Sequence, residues 1–274
     1  MPVPPSATAD AYARLTEVYP YLTVTELGPG ERMPHGDGWV DGAALAQGGA
    51  ALDAFLAWDE AQVLRDYGTR ARPDVVASFA LHRYAWPVCL LFTVPWFLHR
   101  RVPRLPAGQV GYDRTTGRAA VRPVSFACLP GDPAAALPGA RVVSGEEELR
   151  AELRAAVAEH LTPVLAAFGP RMRRRDRALW GMATDEIVEG LWYVAGLLGE
   201  QERARRELEL LLPGATRPYA GAAAFRELTG PNGECLPTRD RVSCCMFYTV
   251  RPQDTCATCP RTRDADRVTR ALAA

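Results

Sequence analysis

Lysine is missing altogether: the 32 basic side chains of this 274-residue chain are all arginine. No amine is available for Schiff-base chemistry, and none for the lysine of a phosphate-binding loop. Equally absent are a Gly-x-Ser-x-Gly nucleophile turn, a Gly-x-Gly-x-x-Gly dinucleotide fingerprint and a His-Glu-x-x-His metalloprotease helix. A bound flavin or nicotinamide is therefore not expected. Net charge is missing too, because 32 acidic residues balance the arginines, which argues against nucleic acid as a partner. The most apolar run, Ala85 to Leu98, contains Pro87 and Pro95 and falls short of the ~20 residues that span a bilayer. The stretch MPVPPSATADAYARL has neither a basic start nor an apolar centre, so no secretory signal is expected. There is no internal repeat and no low-complexity tract. With a composition that is 48% hydrophobic, these exclusions point to a cytoplasmic protein with a substantial core and no membrane span.

Cysteine is what the chain does have. In a reducing compartment its seven cysteines should be metal ligands or free thiols rather than disulfides. Four of them, Cys244, Cys245, Cys256 and Cys259, fall within the segment SCCMFYTVRPQDTCATCP, spaced Cys-Cys-x10-Cys-x2-Cys. Cys256-Ala-Thr-Cys259 is a chelating turn whose two sulfurs can converge on one metal ion. The adjacent pair is more discriminating. Structural zinc sites use two chelating pairs, each with a gap of two to four residues. Neighbouring residues of an extended strand point to opposite faces, so a single tetrahedral ion would need a distorted backbone to take both Cys244 and Cys245. A two-iron core is larger, offers terminal positions on two irons and accepts such a pair more readily. By count the four thiolates suit a rhombic [2Fe–2S] or a cubane [4Fe–4S] core equally. A structural zinc knot and a Cys256–Cys259 redox disulfide are the alternatives. Cys235 is a spare thiol and a possible substitute ligand, whereas Cys89 and Cys128 lie in apolar segments as small core residues.

Periodicity and punctuation predict a mostly helical α+β chain with one small antiparallel β element. Helices are expected from Thr8 to about Tyr21 and from Asp41 to Tyr67, the two separated by the glycine-rich loop GPGERMPHGDGW. Asp74 to Arg100 should form two helices broken near Pro87 or Pro95. The stretch from Gln109 to Cys128 reads as strand, turn, strand, with Gly117 in the turn DRTTGR. Ser144 and Glu147 form an expected capping box for a helix that Gly169-Pro170 stops. Further helices are expected over Asp176–Leu198 and Glu202–Leu212, then a loop to Asp240, the cysteine segment, and a polar helix from Arg263 to Leu272. Two domains follow from this pattern: a mostly helical unit over 1–230 and a cysteine-bearing unit over 231–274.

The segment RVSCCMFYTV…CATCP resembles the C-terminal signature of the FhuF-type ferric-siderophore reductases. The matching residues are Cys244, Cys245, Cys256 and Cys259, with Phe247 and Tyr248 after the pair and Pro260 after the last thiol. The stretches Leu179-Trp180-Gly181 and SFALHRY (Ser78–Tyr84) resemble upstream regions of that family more loosely, and residues 1–70 match no motif. The resemblance implies a [2Fe–2S] core on the four cysteines. It implies reduction of a ferric siderophore, of hydroxamate type, with loss of Fe(II) in the cytoplasm. Hard oxygen donors bind ferrous iron far more weakly, so reduction is release. All-cysteine ligation gives the low potential this step needs, about −400 mV in plant-type ferredoxins. No general acid or base is required for the electron transfer itself, and the freed hydroxamates would be protonated by solvent. Two other readings remain open: a siderophore-binding protein with a structural zinc site, and an iron–sulfur electron carrier or redox sensor with another acceptor.

The remaining candidates are weaker. His35, His82, His99 and His160 are scattered and read as structural histidines, His35 alone lying in a loop that can line a pocket. The run Arg171-Met-Arg-Arg-Arg-Asp-Arg177 is a solvated surface that can also dock an acidic ferredoxin as electron donor. Arg239, Arg241 and Arg261 flank the cysteines and can donate to sulfur or raise the potential of the core. Trp86, Trp96, Trp180 and Trp192 are expected in the core, with one or two of them lining the siderophore groove.

Overall fold

The computed structural model describes residues 6–28, 30–36 and 38–273. The first five residues of the stretch read against a secretory signal, and Pro29 and Asp37 of the glycine-rich loop, lie outside them. The chain opens with helix α1 (Ala9–Val18) and strands β1 (Thr23–Glu26) and β2 (Trp39–Asp41). The helix expected over Asp41–Tyr67 is two: α2 (Gly42–Gln47) and α3 (Gly49–Tyr67). Gly48 and Gly49 both take positive φ between them, a break that glycine makes cheap.

Helix α4 (Pro73–His99) is the axis of the molecule and passes unbroken through both prolines, correcting the expected pair of helices. Pro95 cannot donate to the carbonyl of Leu91, four residues back. The buried hydroxyl of Tyr12 on α1 donates to that carbonyl instead, at 2.9 Å. Burial supplies the rest of the compensation, because α4 is apolar on every side and nearly all of Val75–Phe97 is buried. It is one helix long and apolar enough to cross a membrane, yet 83% of its apolar window is packed inside the protein.

After β3 (Arg101–Arg104) come β4 (Val110–Asp113), β5 (Arg118–Val121), β6 (Ser125–Cys128) and β7 (Ala140–Val142). The DRTTGR turn forms as expected between β4 and β5. Asp113 accepts hydrogen bonds from the backbone of Thr115, both threonine hydroxyls and Arg118, the local side-chain bonding that makes aspartate a turn residue. Gly117 is at φ 67°, where a Cβ would lie 1.9 Å from the carbonyl oxygen of Tyr21. The β content exceeds the single element expected: one sheet runs β1-β5-β4-β2 and a second β3-β6-β7. The missed strands are three or four residues long, too short for a period-2 signal.

Helix α5 (Glu146–Met172) runs past Gly169-Pro170, because Pro170 in the last turn forfeits only one bond. Its capping contact is shifted by one residue from the expected box: Ser144 N and Oγ bond Glu148 at 2.7 and 2.8 Å, with Gly145 in the cap position. Helices α6 (Asp176–Leu197) and α7 (Gln201–Leu211) follow closely as expected. The expected loop to Asp240 contains a hairpin, β8 (Phe225–Thr229) and β9 (Cys235–Arg239); its turn, Gly230-Pro-Asn-Gly, carries a glycine-bearing hairpin signal. Helix α8 (Asp264–Leu272) closes the described chain. At 53% helix and 14% strand in small sheets, the protein is α+β. Helix α4 packs on α5, α6, α1 and α3, and α4 and α6 carry the site.

His160 on α5 is a structural histidine. It is fully buried, its Nδ1 donates to the carbonyl of Leu105 at 2.8 Å, and Tyr84 on α4 donates to Nε2 at 2.9 Å. Burial pulls its pKa down to about 4, against about 6.5 in an unfolded chain. Below about 6.5 the unfolded chain binds a proton that the folded one refuses until about 4. Stability therefore falls as pH drops through that window and levels off beneath it, by roughly 3 kcal/mol. Denaturant unfolding of wild type and His160→Gln should show the gap between them shrinking by about 2–3 kcal/mol from pH 7 to pH 4.5. A constant gap would mean that His160 is not held neutral.

Candidate metal centre

The cysteine segment has two arms, and α6 holds both. A row of three carboxylates, Asp185, Glu186 and Glu189, interrupts this otherwise apolar helix. Asp185 is fully buried. It accepts from Arg239 Nη2 at 2.7 Å, from the backbone of Val242 at 3.0 Å and Ser243 at 2.8 Å, and from Ser243 Oγ at 2.7 Å. The residues immediately before Cys244 are thus fixed by four bonds to one side chain. Glu189 takes Arg239 Nη1 at 3.1 Å and Thr258 Oγ1 at 2.6 Å, reaching the turn between Cys256 and Cys259. Gly181, in the segment Leu179-Trp180-Gly181, permits the approach: a Cβ there would lie 3.0 Å from Val242 Cγ1.

Other contacts seat the segment from its far sides. Arg267 on α8, itself buried, donates to the carbonyls of Arg239 and Cys259 at 3.1 and 3.0 Å. Phe247 packs edge-on to Tyr67 and against Phe79, with ring centroids at 5.4 and 6.0 Å, and Met246 and Val250 join Val63 and Val75 in a small apolar cluster. Met246 takes positive φ, so the backbone bends directly after the cysteine pair. Cys244 and Cys245 therefore do not lie in a regular strand, and the geometric objection to using both in one site disappears.

Of the four sulfurs, those of Cys245 and Cys256 come together. Cys245 and Cys259 are buried, Cys244 and Cys256 half-buried. Cys245 Sγ lies 4.0 Å from Cys256 Sγ, close to the edge of about 3.8 Å that follows from tetrahedral metal–sulfur bonds of about 2.3 Å. Cys244 Sγ accepts from the backbone of Met246 and Cys259 Sγ from that of Arg261, each at 3.4 Å, bonds of the type that tune cluster potentials. A hydrogen bond from Cys245, aided by the charge of Arg241 and opposed by burial, lowers the Cys256 thiol to about 7, while Cys245 is raised by giving that bond. The direction favours the thiolate, the form that binds a soft metal. Among the described residues no three His, Cys, Asp or Glu side chains already converge as ligands of a single ion.

Arg241 tests the fit of a cluster. Its side chain is 7% exposed and lines a cavity with Cys245 and Cys256; its Nε lies 3.7 Å from Asp185 Oδ2, an ion pair too long for a hydrogen bond, and Nε and Nη2 have no hydrogen-bond partner. Buried donors left unpaired are costly. Acceptor sulfur at the two cysteines would satisfy them, and the surplus negative charge of a thiolate-ligated core is what a guanidinium would balance. Of the other flanking arginines, Arg239 is a wholly buried anchor rather than a solubilising charge, and Arg261 stacks over Tyr248 at 4.1 Å.

That cavity, about 680 Å³, is walled by Tyr67, Phe79, Trp86, Trp192 and Phe247 beside the two cysteines. Trp86 and Trp192 thus line this cavity, whereas Trp96 is wholly buried and Trp180 packs on Tyr219. His82 sits at the rim with Nδ1 2.7 and 2.8 Å from the carboxylate oxygens of buried Glu186. Burial opposes its protonation, but Glu186 prevails and its pKa is raised. Cys235 is not brought to the centre; it is exposed at the start of β9, opposite Thr229. Cys89 and Cys128 are buried in the core, and His35 is exposed. The carboxylate row of α6 was not singled out in the sequence, although Asp-Glu followed three residues later by Glu in a buried helix is a visible anomaly.

A helical body that seats a cysteine-rich segment, with Cys245, Cys256 and Arg241 on one cavity, presents soft sulfur ligands of the kind a metal centre uses. Residues 241–261 match the family model described as the FhuF 2Fe-2S C-terminal domain. The match makes this segment similar to a 2Fe–2S-binding domain of the FhuF type, the domain found in ferric-siderophore reductase-like proteins. No curated protein matches the chain.

Proposed function

We propose that the protein reduces ferric hydroxamate siderophores in the cytoplasm, with Cys244, Cys245, Cys256 and Cys259 holding the [2Fe–2S] core. In this reading residues 231–274 form the cluster-bearing unit and residues 1–230 the siderophore-holding body. The observation that carries it is the opening of Cys245 and Cys256 onto the aromatic cavity: the chelate can come to the edge of the redox centre without displacing protein. When bound, the core supplies one electron, which turns chelated Fe(III) into weakly held Fe(II). The chain does the rest. Asp185 and Glu189 hold the two cysteine arms in register, the rings of Phe79, Trp86, Trp192 and Phe247 exclude water from the contact, and Arg241 places a positive charge where negative charge gathers. His82 stands at the rim, yet proton supply to the freed hydroxamates from solvent suffices. Charges in the cavity nearly cancel, Arg83 and Arg241 against Glu189 and neighbouring Glu186, which suits an uncharged tris-hydroxamate over a triply anionic catecholate complex.

Mixing the anaerobically reduced protein with tris(acetohydroxamato)iron(III) in a stopped-flow spectrometer should oxidise it in a single turnover, with Fe(II) appearing in a ferrous-specific indicator in equal amount. Oxidation no faster than by a bulky anionic oxidant such as ferricyanide scaled to its driving force, or no Fe(II), would remove the reading. We infer as well that an acidic ferredoxin supplies the electrons at the arginine run Arg171–Arg177, where α5 gives way to α6. Opposite charges steer such encounters, so raising ionic strength should slow its reduction of this protein; a salt-independent rate would place the docking elsewhere.

A further inference from the structure

The cavity at the cysteines is the smaller of two neighbouring chambers that share a wall. The second, about 780 Å³, is lined by Tyr19, Trp58, Trp86, Tyr112, Arg65 and Arg114 among others, and shares His82, Arg83 and Trp86 with the first. These three residues stand at i, i+1 and i+4 on α4, so one turn of helix is the common wall. No residue of the cysteine segment reaches the outer chamber. Its polar lining is held rigid from behind. Fully buried Asp59 takes Arg83 Nη1 at 2.6 Å and Arg114 Nη1 at 3.4 Å, and the Arg114 guanidinium lies 4.0 and 4.1 Å over the rings of Phe55 and Trp58. Arg65 is different: it bonds only Gln62, at 2.6 Å, and pairs with no carboxylate among the described residues. Three guanidiniums against Asp59 and Asp66 leave one positive charge in surplus.

We propose that this outer chamber is the scaffold-recognition subsite of the ferric chelate. The proposal rests on the reductase reading and extends it. The iron end lies at Cys245 and Cys256, and the organic framework that links the hydroxamates passes the His82–Trp86 wall into the outer chamber. There flat amide groups stack on Tyr19, Trp58, Trp86 and Tyr112, and Arg65 receives a carbonyl oxygen or a single carboxylate. A chelate without a framework fills only the inner chamber. The two chambers together are large enough to make the framework a determinant of affinity, and across both the four guanidiniums of Arg65, Arg83, Arg114 and Arg241 meet Asp59, Asp66, Glu186 and Glu189, a balance that selects a neutral chelate.

Gallium(III) complexes test this, because gallium binds hydroxamates like ferric iron and is not reduced. Binding to the cluster-loaded protein is measured by calorimetry for gallium desferrioxamine E, a neutral macrocyclic tris-hydroxamate, and for tris(acetohydroxamato)gallium(III), which has no framework. Wild type should bind the first at least tenfold more tightly. Gln62→Trp, which fills the outer chamber from an α3 side chain, should weaken the macrocycle at least tenfold and the simple complex less than twofold. Tyr21→Ala, at a ring already 77% exposed, should weaken only the macrocycle, severalfold, without unfolding the protein. Equal affinities in wild type, or variants that shift both probes alike or neither, overturn the subsite. If the ferric complexes are reduced while this split is absent, the subsite falls and the reductase reading stands. The split without any ferric reduction would keep the subsite and remove the reductase reading.

Discussion

Asp185→Ala should lower the stability of the protein by about 3–5 kcal/mol, the cost of removing one partner of a buried ion pair. Asp185 and Arg239 have no exposed side-chain surface, so the substitution leaves Arg239 Nη2 unpaired where water cannot reach it, with Glu189 as the guanidinium's remaining carboxylate. It also strands the backbone N–H groups of Val242 and Ser243, which have only this carboxylate as partner. Denaturant unfolding of the metal-free protein reads the effect apart from any cluster. Asp185→Asn keeps an acceptor but gives up the charge, and should fall between. Glu189→Gln should cost far less, since its side chain is 25% exposed and solvent can replace what is lost. An Asp185→Ala protein within about 1 kcal/mol of wild type would mean that the cysteine arm is not seated by α6 in solution.

Cys245→Ser and Cys256→Ser should each abolish the visible absorption and the acid-labile sulfide of anaerobically prepared protein. These are the two sulfurs that stand at ligand spacing over the cavity, and a serine oxygen is a harder, poorer donor for iron in a cluster. Cys235→Ser should leave both measurements unchanged, because that thiol lies on the exposed hairpin away from the others. Wild-type protein that holds zinc without sulfide, even after reconstitution with iron and sulfide, would contradict the centre altogether. Retention of full cluster content by Cys245→Ser together with its loss in Cys235→Ser would reassign the ligands.

Much of the site was legible because its signal is local. Four cysteines within one short segment need no knowledge of what packs around them, and the family match falls on that same segment. The long helices were legible for the same reason: caps, glycines and apolar spacing are written in neighbouring residues. What was misread depended on distant partners. The prolines of α4 looked like breaks because the hydroxyl that repairs one of them comes from Tyr12, far away in sequence. Strands β1 and β5 pair in parallel across almost the whole first half of the chain, and such short strands have no local pattern.

The sequence by itself determined the chemistry on offer: soft sulfur ligands in a set of four, arginine as the sole cation, and helices apolar enough to build a core. Only the tertiary structure decided what that chemistry faces. It brought Asp185 and Glu189 under the two cysteine arms, placed the buried Arg241 guanidinium on one cavity with two sulfurs, and gave two chambers one turn of α4 as a shared wall. Ligand type is a property of single residues and their spacing. Burial, charge balance and the shape of a cavity arise only when segments remote in the chain exclude water together.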